Sequence, residues 1–274
     1  MKRGISVVVT TAIIAAVTLA LIATASFYAY SSLELQLEYG EFENAKACMI
    51  ALAELIESVS ASERAAGFVR FATRAGGLWF ERSAGRLDVE IDGGELVSLS
   101  LPIGLVKYRG GSYVAVPEYQ VLRGGVLENT PAWSETVLGP GEESTPLGWV
   151  YLEHKGGAWI VLDFGRIRVV ELGAFNFSKS GGREYELLGV VEIIYVQLDI
   201  GETCGSGLVD VKARNLEISR SFYKFRGSET LSVRACRVGE HGTHCDSECT
   251  VHFEGVDGVL AVVTVVRVEV SAGG

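Results

Sequence analysis

Cysteines and histidines near the carboxyl end are the residues with the clearest potential for chemistry. Three of each fall within seventeen residues: Cys236, His241, His244, Cys245, Cys249 and His252. Zinc accepts both thiolate and imidazole ligands, so a metal site is one interpretation of this segment. The spacing lacks the paired C-x-x-C of zinc fingers, and we therefore expect no metal and no other cofactor.

Disulfide bonds are the favoured chemistry for these cysteines. With Cys204 included, Cys204, Cys236, Cys245 and Cys249 form an even set in the part of the chain that is expected to be exported. Outside the cytoplasm such a set favours two disulfides, and their three possible pairings stay open. Each bridge would contribute about 2–4 kcal/mol to the free energy of unfolding.

Export is predicted by an apolar stretch at the amino terminus. Residues 5–30 contain no charge, glycine or proline. As a helix they would be about 39 Å long, whereas the hydrocarbon core of a bilayer is about 30 Å thick. Lys2 and Arg3 precede the stretch and four glutamates follow it, so the amino terminus is expected in the cytoplasm and the remaining chain outside.

The residues around this stretch carry a family resemblance. Lys2-Arg3-Gly4 followed by the apolar run from Ile5 resembles the amino terminus of archaeal type IV pilins and pilin-like proteins. In that family a prepilin peptidase cuts after the glycine, and the retained helix packs with its neighbours in the core of an extracellular filament. The resemblance implies a leader of residues 1–4, self-association of the helices over 5–30, and handling of the membrane-bound precursor by the pilus assembly machinery. Many bacterial pilins have Glu at the fifth residue after the cut, where this chain has Val9, so the comparison favours archaeal relatives.

Two other fates of the apolar stretch remain open. It could stay uncleaved as a plain signal anchor. It could also be an ordinary secretory signal peptide cut after Ala23-Thr24-Ala25, which would release a soluble domain beginning at Ser26. The uninterrupted apolar run to Ile22 is longer than the usual 7–15 residues of such signals.

Residues 31–66 are interpreted as a linker and an amphipathic helix. Leucines at 33, 35 and 37 and Tyr39 alternate with polar residues, which is a strand period, although a continuing helix is also compatible. Helical spacing predicts a helix over 42–60 that packs on a sheet through one apolar face, comprising Phe42, Ala45, Met49, Leu52, Ala53, Ile56 and Val59. Cys48 lies on this helix and is expected to be a buried thiol.

The remaining chain, residues 67–274, is predicted to be a β-rich extracellular domain. Short valine-rich runs alternate with glycine turns, which is typical of an antiparallel, sandwich-like fold. The fold class is therefore α+β, with a long hydrophobic amino-terminal helix. Residues 123–148 contain three of the five prolines and mark a possible sub-boundary.

Composition and motifs limit the function. A formal charge of −10 disfavours nucleic acid as a partner, because both surfaces are negative. The chain has no H-E-x-x-H, G-x-S-x-G, P-loop or G-x-G-x-x-G motif, and we expect no enzyme. Asn176-Phe177-Ser178 is a candidate N-glycosylation site. The expected function is a structural subunit of a cell-surface filament; the alternative is a membrane-anchored β domain for adhesion or binding that does not polymerise.

Overall fold

A computed structural model describes residues 3–125, 135–142, 144–178, 185–205, 207–239, 242–246 and 248–273, with side chains from residue 9 onward. One helix, α1 (Arg3–Ser60), precedes the strands of this described part. The strands are β1 (Ala66–Thr73), β2 (Gly77–Asp92), β3 (Leu96–Arg109), β4 (Tyr119–Arg123), β5 (Val137–Leu138), β6 (Trp149–His154), β7 (Ala158–Asp163), β8 (Ile167–Ser178), β9 (Tyr185–Thr203), β10 (Gly207–Arg226), β11 (Thr230–Gly239), β12 (Gly242–Cys245), β13 (Cys249–His252) and β14 (Gly258–Gly273).

Helix α1 runs without a break through the region interpreted as a linker. The alternation of leucines over 33–39 does not form a strand: these residues are helical, and in the described part of the chain none of them belongs to a sheet. Leu, Glu and Gln favour the helix, and the preceding apolar run already provides its earlier turns. The amphipathic helix predicted over 42–60 is confirmed as the last part of α1, with its seven apolar-face residues at most 3% exposed.

The strands form two sheets, which confirms the α+β class. The first sheet has the order β1-β10-β14-β9-β8-β5. The second has the order β12-β11-β2-β3-β7-β6-β4, with β13 also paired to β11. Pairing is antiparallel except between β9 and β14 and between β5 and β8.

Two hydrophobic cores lie on opposite faces of the same long strands. In β3, Ile103 and Leu105 belong to one core while Val106 and Tyr108 belong to the other. Successive side chains of a strand point to opposite faces of the sheet. Residues 103 and 105 therefore face one side and residues 106 and 108 the other, which places the two cores on opposite sides of the sheet. The buried face of α1 packs into the core that contains Val106 and Tyr108.

The two sheets come closest where β3 passes β9. A Cβ atom on Gly104 would lie 2.7 Å from the carbonyl oxygen of Leu198. Beside this point the Tyr195 hydroxyl donates a hydrogen bond to the carbonyl oxygen of Pro102 at 2.6 Å. Glycine is therefore required at residue 104 for the backbones to approach each other.

Strands on both sides of the proposed sub-boundary at 123–148 belong to one sheet, since β4 pairs with β6. Within the segment, the hydroxyl of the buried Thr136 donates to the carbonyl oxygen of Ala235 at 2.9 Å. Residues 126–134 and 143 lie outside the described residues. The described parts of the segment are thus built into the domain rather than separating two.

Candidate assembly interface on the amino-terminal helix

The first two thirds of α1 present an apolar surface that the rest of the chain does not cover. Its exposed large apolar residues are Val9, Ile13, Ile14, Val17, Leu19, Leu21, Ile22, Phe27, Tyr28, Tyr30, Leu33, Leu35, Leu37 and Tyr39. The domain begins to bury the helix at Phe42. At about 1.5 Å per residue, the part of α1 that precedes Phe42 is about 58 Å long, and all but its last turn lies beyond the contacts with the domain.

This projecting segment is long and apolar enough to cross a membrane. Its most apolar 18-residue window has a mean hydropathy of 2.1 and is 0% buried. A helix that is apolar on all sides is unstable in water, so lipid or other helices must cover it. We call residues 9–39 of α1 the exposed helix segment.

Glu41 fastens the helix at the point where it enters the domain. Its Oε1 accepts hydrogen bonds from the Tyr108 hydroxyl at 2.7 Å and from the backbone N–H of Gly76 at 2.9 Å. The backbone N–H of Ala75 donates to both carboxylate oxygens at 3.1 Å. The carboxylate therefore joins the helix to the β1–β2 turn and to β3.

Two further glutamates of the helix bind the domain on either side of Glu41. Glu38 Oε2 accepts the backbone N–H of Tyr113 at 3.0 Å. Glu57 forms an ion pair with Arg123, with an Oε2–Nη2 distance of 2.6 Å, and its Oε1 accepts the backbone N–H of Gly148 at 2.8 Å.

The carboxyl end of the helix is capped by a residue distant in sequence. The side-chain amide of Asn215 donates to the carbonyl oxygens of Val59 and Ser62, both at 3.1 Å. Asn215 is 2% exposed and lies at a register shift in β10. The last carbonyls of a helix lack partners within the helix, and here a β-bulge side chain supplies one. These contacts join α1 to the domain from Glu38 to the carboxyl end of the helix.

The predicted cleavage site lies at the start of this helix. Lys2 is outside the described residues, while Arg3, Gly4 and Ile5 have helical backbone. The candidate cut between Gly4 and Ile5 thus falls in the first turn of α1, at the end farthest from the β domain.

The structure joins one pair of the four candidate disulfide cysteines. Cys236 and Cys245 occupy directly opposite positions of β11 and β12 and are bonded. Cys204 is an exposed thiol, and Cys249 is a half-buried thiol whose pKa is raised by burial. Cys48 is also a thiol; its Sγ donates to the carbonyl oxygen of Arg70 at 3.4 Å, and burial raises its pKa.

The alternative metal site does not form among the described residues, in which no group of three or more His, Cys, Asp or Glu side chains comes together. The sulfur atoms of Cys236 and Cys245 are bonded to each other and are not thiolate ligands. His241 lies outside the described residues. His244 and His252 belong to β12 and β13, which pair with different stretches of β11.

Asn176 lies on a strand rather than in a loop. It is opposite Leu187 in the β8–β9 pair, and its side chain is exposed. Only Ile167 and Arg168 of β8 pair with β5, so Asn176 is on an edge of the described sheet.

Sequence reasoning missed the anchoring residues. The sequence patterns predict no anchoring role for Glu38, Glu41, Glu57 or Asn215. Their partners are all 34 or more residues away along the chain. Local spacing carries no signal for contacts of this kind.

Comparison of the chain with known protein families, with curated proteins and with solved structures gives no match. The fold defines the class: an α+β protein with one amino-terminal helix that could anchor it in a membrane. A more specific function has to be argued from the helix itself.

Proposed function

We propose that this chain is a structural subunit of an archaeal type IV pilus-like surface filament, assembled through its amino-terminal helices. The observation that carries the proposal is the single helix α1, which is buried in the β domain at one end and apolar and exposed at the other. The resemblance of Lys2-Arg3-Gly4-Ile5 to the prepilin cleavage site supports the same function.

The apolar part of the helix is compatible with both a membrane-bound precursor and a filament. Fully burying each large apolar side chain contributes about 1.5–3 kcal/mol, in lipid or among helices. Transfer from lipid to a helical bundle changes this term little, so association has to come from close packing. Small residues such as Ala15, Ala16 and Ala20 allow helices to approach closely.

The segment between the membrane span and the domain favours a filament over a lone anchor. Leu33, Leu35, Leu37 and Tyr39 are 39–54% exposed and lie beyond the apolar run that lipid would cover. With 3.6 residues per turn, Leu33 and Leu37 lie near one side of the helix, and Leu35 and Tyr39 near the opposite side. In a lone anchor both sides would face water, whereas neighbouring helices in a filament would cover both.

The decisive experiment is to isolate the native protein from cells and sequence its amino terminus. A start at Ile5 supports processing as a pilin. A start at Ser26 would contradict the proposal, because the assembly helix would have been removed. Monomers in detergent with an intact amino terminus, and no filaments by electron microscopy, would support the membrane-anchored alternative.

Double leucine variants test whether the helix surface around Leu33 and Leu37 takes part in assembly, independently of where the chain is cleaved. Leu33→Ala/Leu37→Ala removes two exposed side chains of the helix and is expected to abolish or shorten filaments. The control, Leu96→Ala/Leu208→Ala, removes two leucines that are exposed on the β domain. Equal filament yield from both variants would show that this part of the helix does not take part in assembly.

A further inference from the structure

An open cleft lies beside the helix where α1 leaves the domain. Its volume is about 640 Å³, and three glycine pairs line it: Gly76-Gly77, Gly110-Gly111 and Gly156-Gly157. Glycines keep this part of the surface free of side chains. The functional side chains that project into the cleft are therefore few, and Trp79 is the largest of them.

Trp79 is held in place although it is 53% exposed. Its ring packs edge-on against Trp159, with 5.7 Å between ring centroids and an interplanar angle of 82°. A Cβ atom on Gly77 would lie 3.1 Å from Cζ3 of Trp79, so the glycine makes room for the ring. The indole is thus a fixed apolar surface that faces solvent.

Arg109 is fixed against the neighbouring ring of Trp159. Its guanidinium lies 5.6 Å from the centroid of the Trp159 ring, and Nη2 donates to the carbonyl oxygen of Gly156 at 3.3 Å. The side chain is exposed, and a guanidinium has five N–H donors in a rigid plane. The donors that Gly156 does not use remain available to a ligand.

Glu38 provides an acceptor on the helix side of the cleft. Its Oε2 accepts the N–H of Tyr113 at 3.0 Å, which holds the carboxylate in position. A guanidinium and a carboxylate therefore line the same cleft, which also includes His154. This arrangement gives no strong preference for a charged ligand.

We infer that this cleft binds a neutral saccharide. The apolar face of a pyranose ring matches an exposed indole, and its hydroxyl groups are both donors and acceptors, which suits Arg109 and Glu38. Because the cleft is open to solvent, it suits part of a longer oligosaccharide. The inference needs only the folded β domain and the adjoining helix, and it holds whether or not the chain polymerises.

The test uses the full chain in a detergent without a sugar head group, since a glycosidic detergent would compete. Maltohexaose, cellohexaose and chitohexaose are titrated separately while tryptophan fluorescence and heat of binding are recorded. At least one is expected to bind with a Kd of about 0.1–1 mM. Trp79→Ala is expected to weaken that binding about tenfold, and Trp79→Phe to restore part of it.

Phe68→Ala is the matched control, because Phe68 is a comparably exposed aromatic residue on β1 and does not line the cleft. It should leave binding unchanged. Each variant is first checked for an unaltered unfolding transition. The inference is overturned if none of the three oligosaccharides binds, or if binding by a folded Trp79→Ala variant equals that of the native chain. Polygalacturonate is titrated as the charged comparison. Binding to it alone, lost on adding salt, would also overturn the inference, since it would show ionic attraction rather than stacking.

Discussion

The hydroxyl of Tyr108 donates a hydrogen bond to Oε1 of Glu41 across a distance of 2.7 Å. Tyr108 lies on β3 at 0% exposure, and its ring contacts Phe42 of the helix and Phe71 of β1, both with centroids 6.4 Å apart. The same carboxylate binds the turn between β1 and β2. One side-chain pair thus links the helix to both sheets at the point where α1 enters the domain.

Glu41→Gln should lower the free energy of unfolding by about 1–3 kcal/mol. The amide group keeps the shape of the side chain but turns one acceptor into a donor, which leaves a backbone N–H without its partner. Urea unfolding measures the change. Glu43→Gln is the control: Glu43 is exposed and pairs with Lys46, so its loss should cost at most about 0.5 kcal/mol. Equal effects from both variants would contradict the anchoring role.

Stability should fall as the pH rises above 10, because buried tyrosines resist ionisation. Burial, together with the hydrogen bond to Glu41, raises the pKa of Tyr108 above its ordinary value of 10.0, and burial also raises that of Tyr195. The unfolded chain then loses protons that the folded chain retains, and each tyrosine contributes a slope of up to about 1.4 kcal/mol per pH unit.

Tyr108→Phe should make this alkaline slope shallower than that of the native protein. Burial lowers the pKa of Arg166 to about 10, which acts in the opposite sense, but this contribution is common to both proteins and cancels in the comparison. Unfolding midpoints measured across this pH range test the difference. Parallel slopes would show that Tyr108 titrates normally in the folded state.

Asn215→Asp should be more destabilising than Asn215→Ala. The amide of Asn215 faces the carbonyl oxygens of Val59 and Ser62, and a carboxylate there would place a buried charge against two acceptors. We expect a loss of about 1–3 kcal/mol for alanine and of at least about 3 kcal/mol for aspartate. Thermal unfolding in detergent gives the order, and the reverse order would contradict the described cap.

Mass spectrometry of the oxidised protein should find one disulfide, Cys236–Cys245, with three thiols remaining. Cys204 should react first with a thiol reagent because it is exposed, whereas burial raises the pKa of Cys48 and Cys249 and slows their reaction. Removing the bridge by Cys236→Ala/Cys245→Ala should cost about 2–3 kcal/mol, as expected for a short loop. A second bridge between Cys204 and Cys249 would contradict the structure.

Gly104→Ala should destabilise the domain by about 1–3 kcal/mol, because its Cβ would lie 2.7 Å from the backbone oxygen of Leu198. Gly94→Ala is a useful contrast. Gly94 has open space around it but a φ of 101°, so the loss in free energy of unfolding comes from backbone strain instead. Differences in urea midpoints, and an altered pattern of amide exchange on β9 for the residue 104 variant only, distinguish the two causes.

The elements of this protein with strong local patterns could be predicted from sequence. The uncharged run over 5–30 and the buried face from Phe42 to Val59 have periodicities that depend only on neighbouring residues, and both are helical in the structure. The alternation over Leu33–Tyr39 was ambiguous for the same reason. It matches a strand over a few residues, but the helix continues because nothing pairs with it.

By itself the sequence determined the class of the fold and the presence of an apolar helix that could enter a membrane. Only the tertiary structure decided which carboxylates anchor the helix, which cysteines are bonded, and that Trp79 and Arg109 line one cleft together with three glycine pairs. Helical and strand periodicities depend only on residues close together along the chain, so they can be recognised in a single sequence. Contacts such as Asn215 with Val59 join residues 156 positions apart, and they exist only once the strands have taken their order in the sheets.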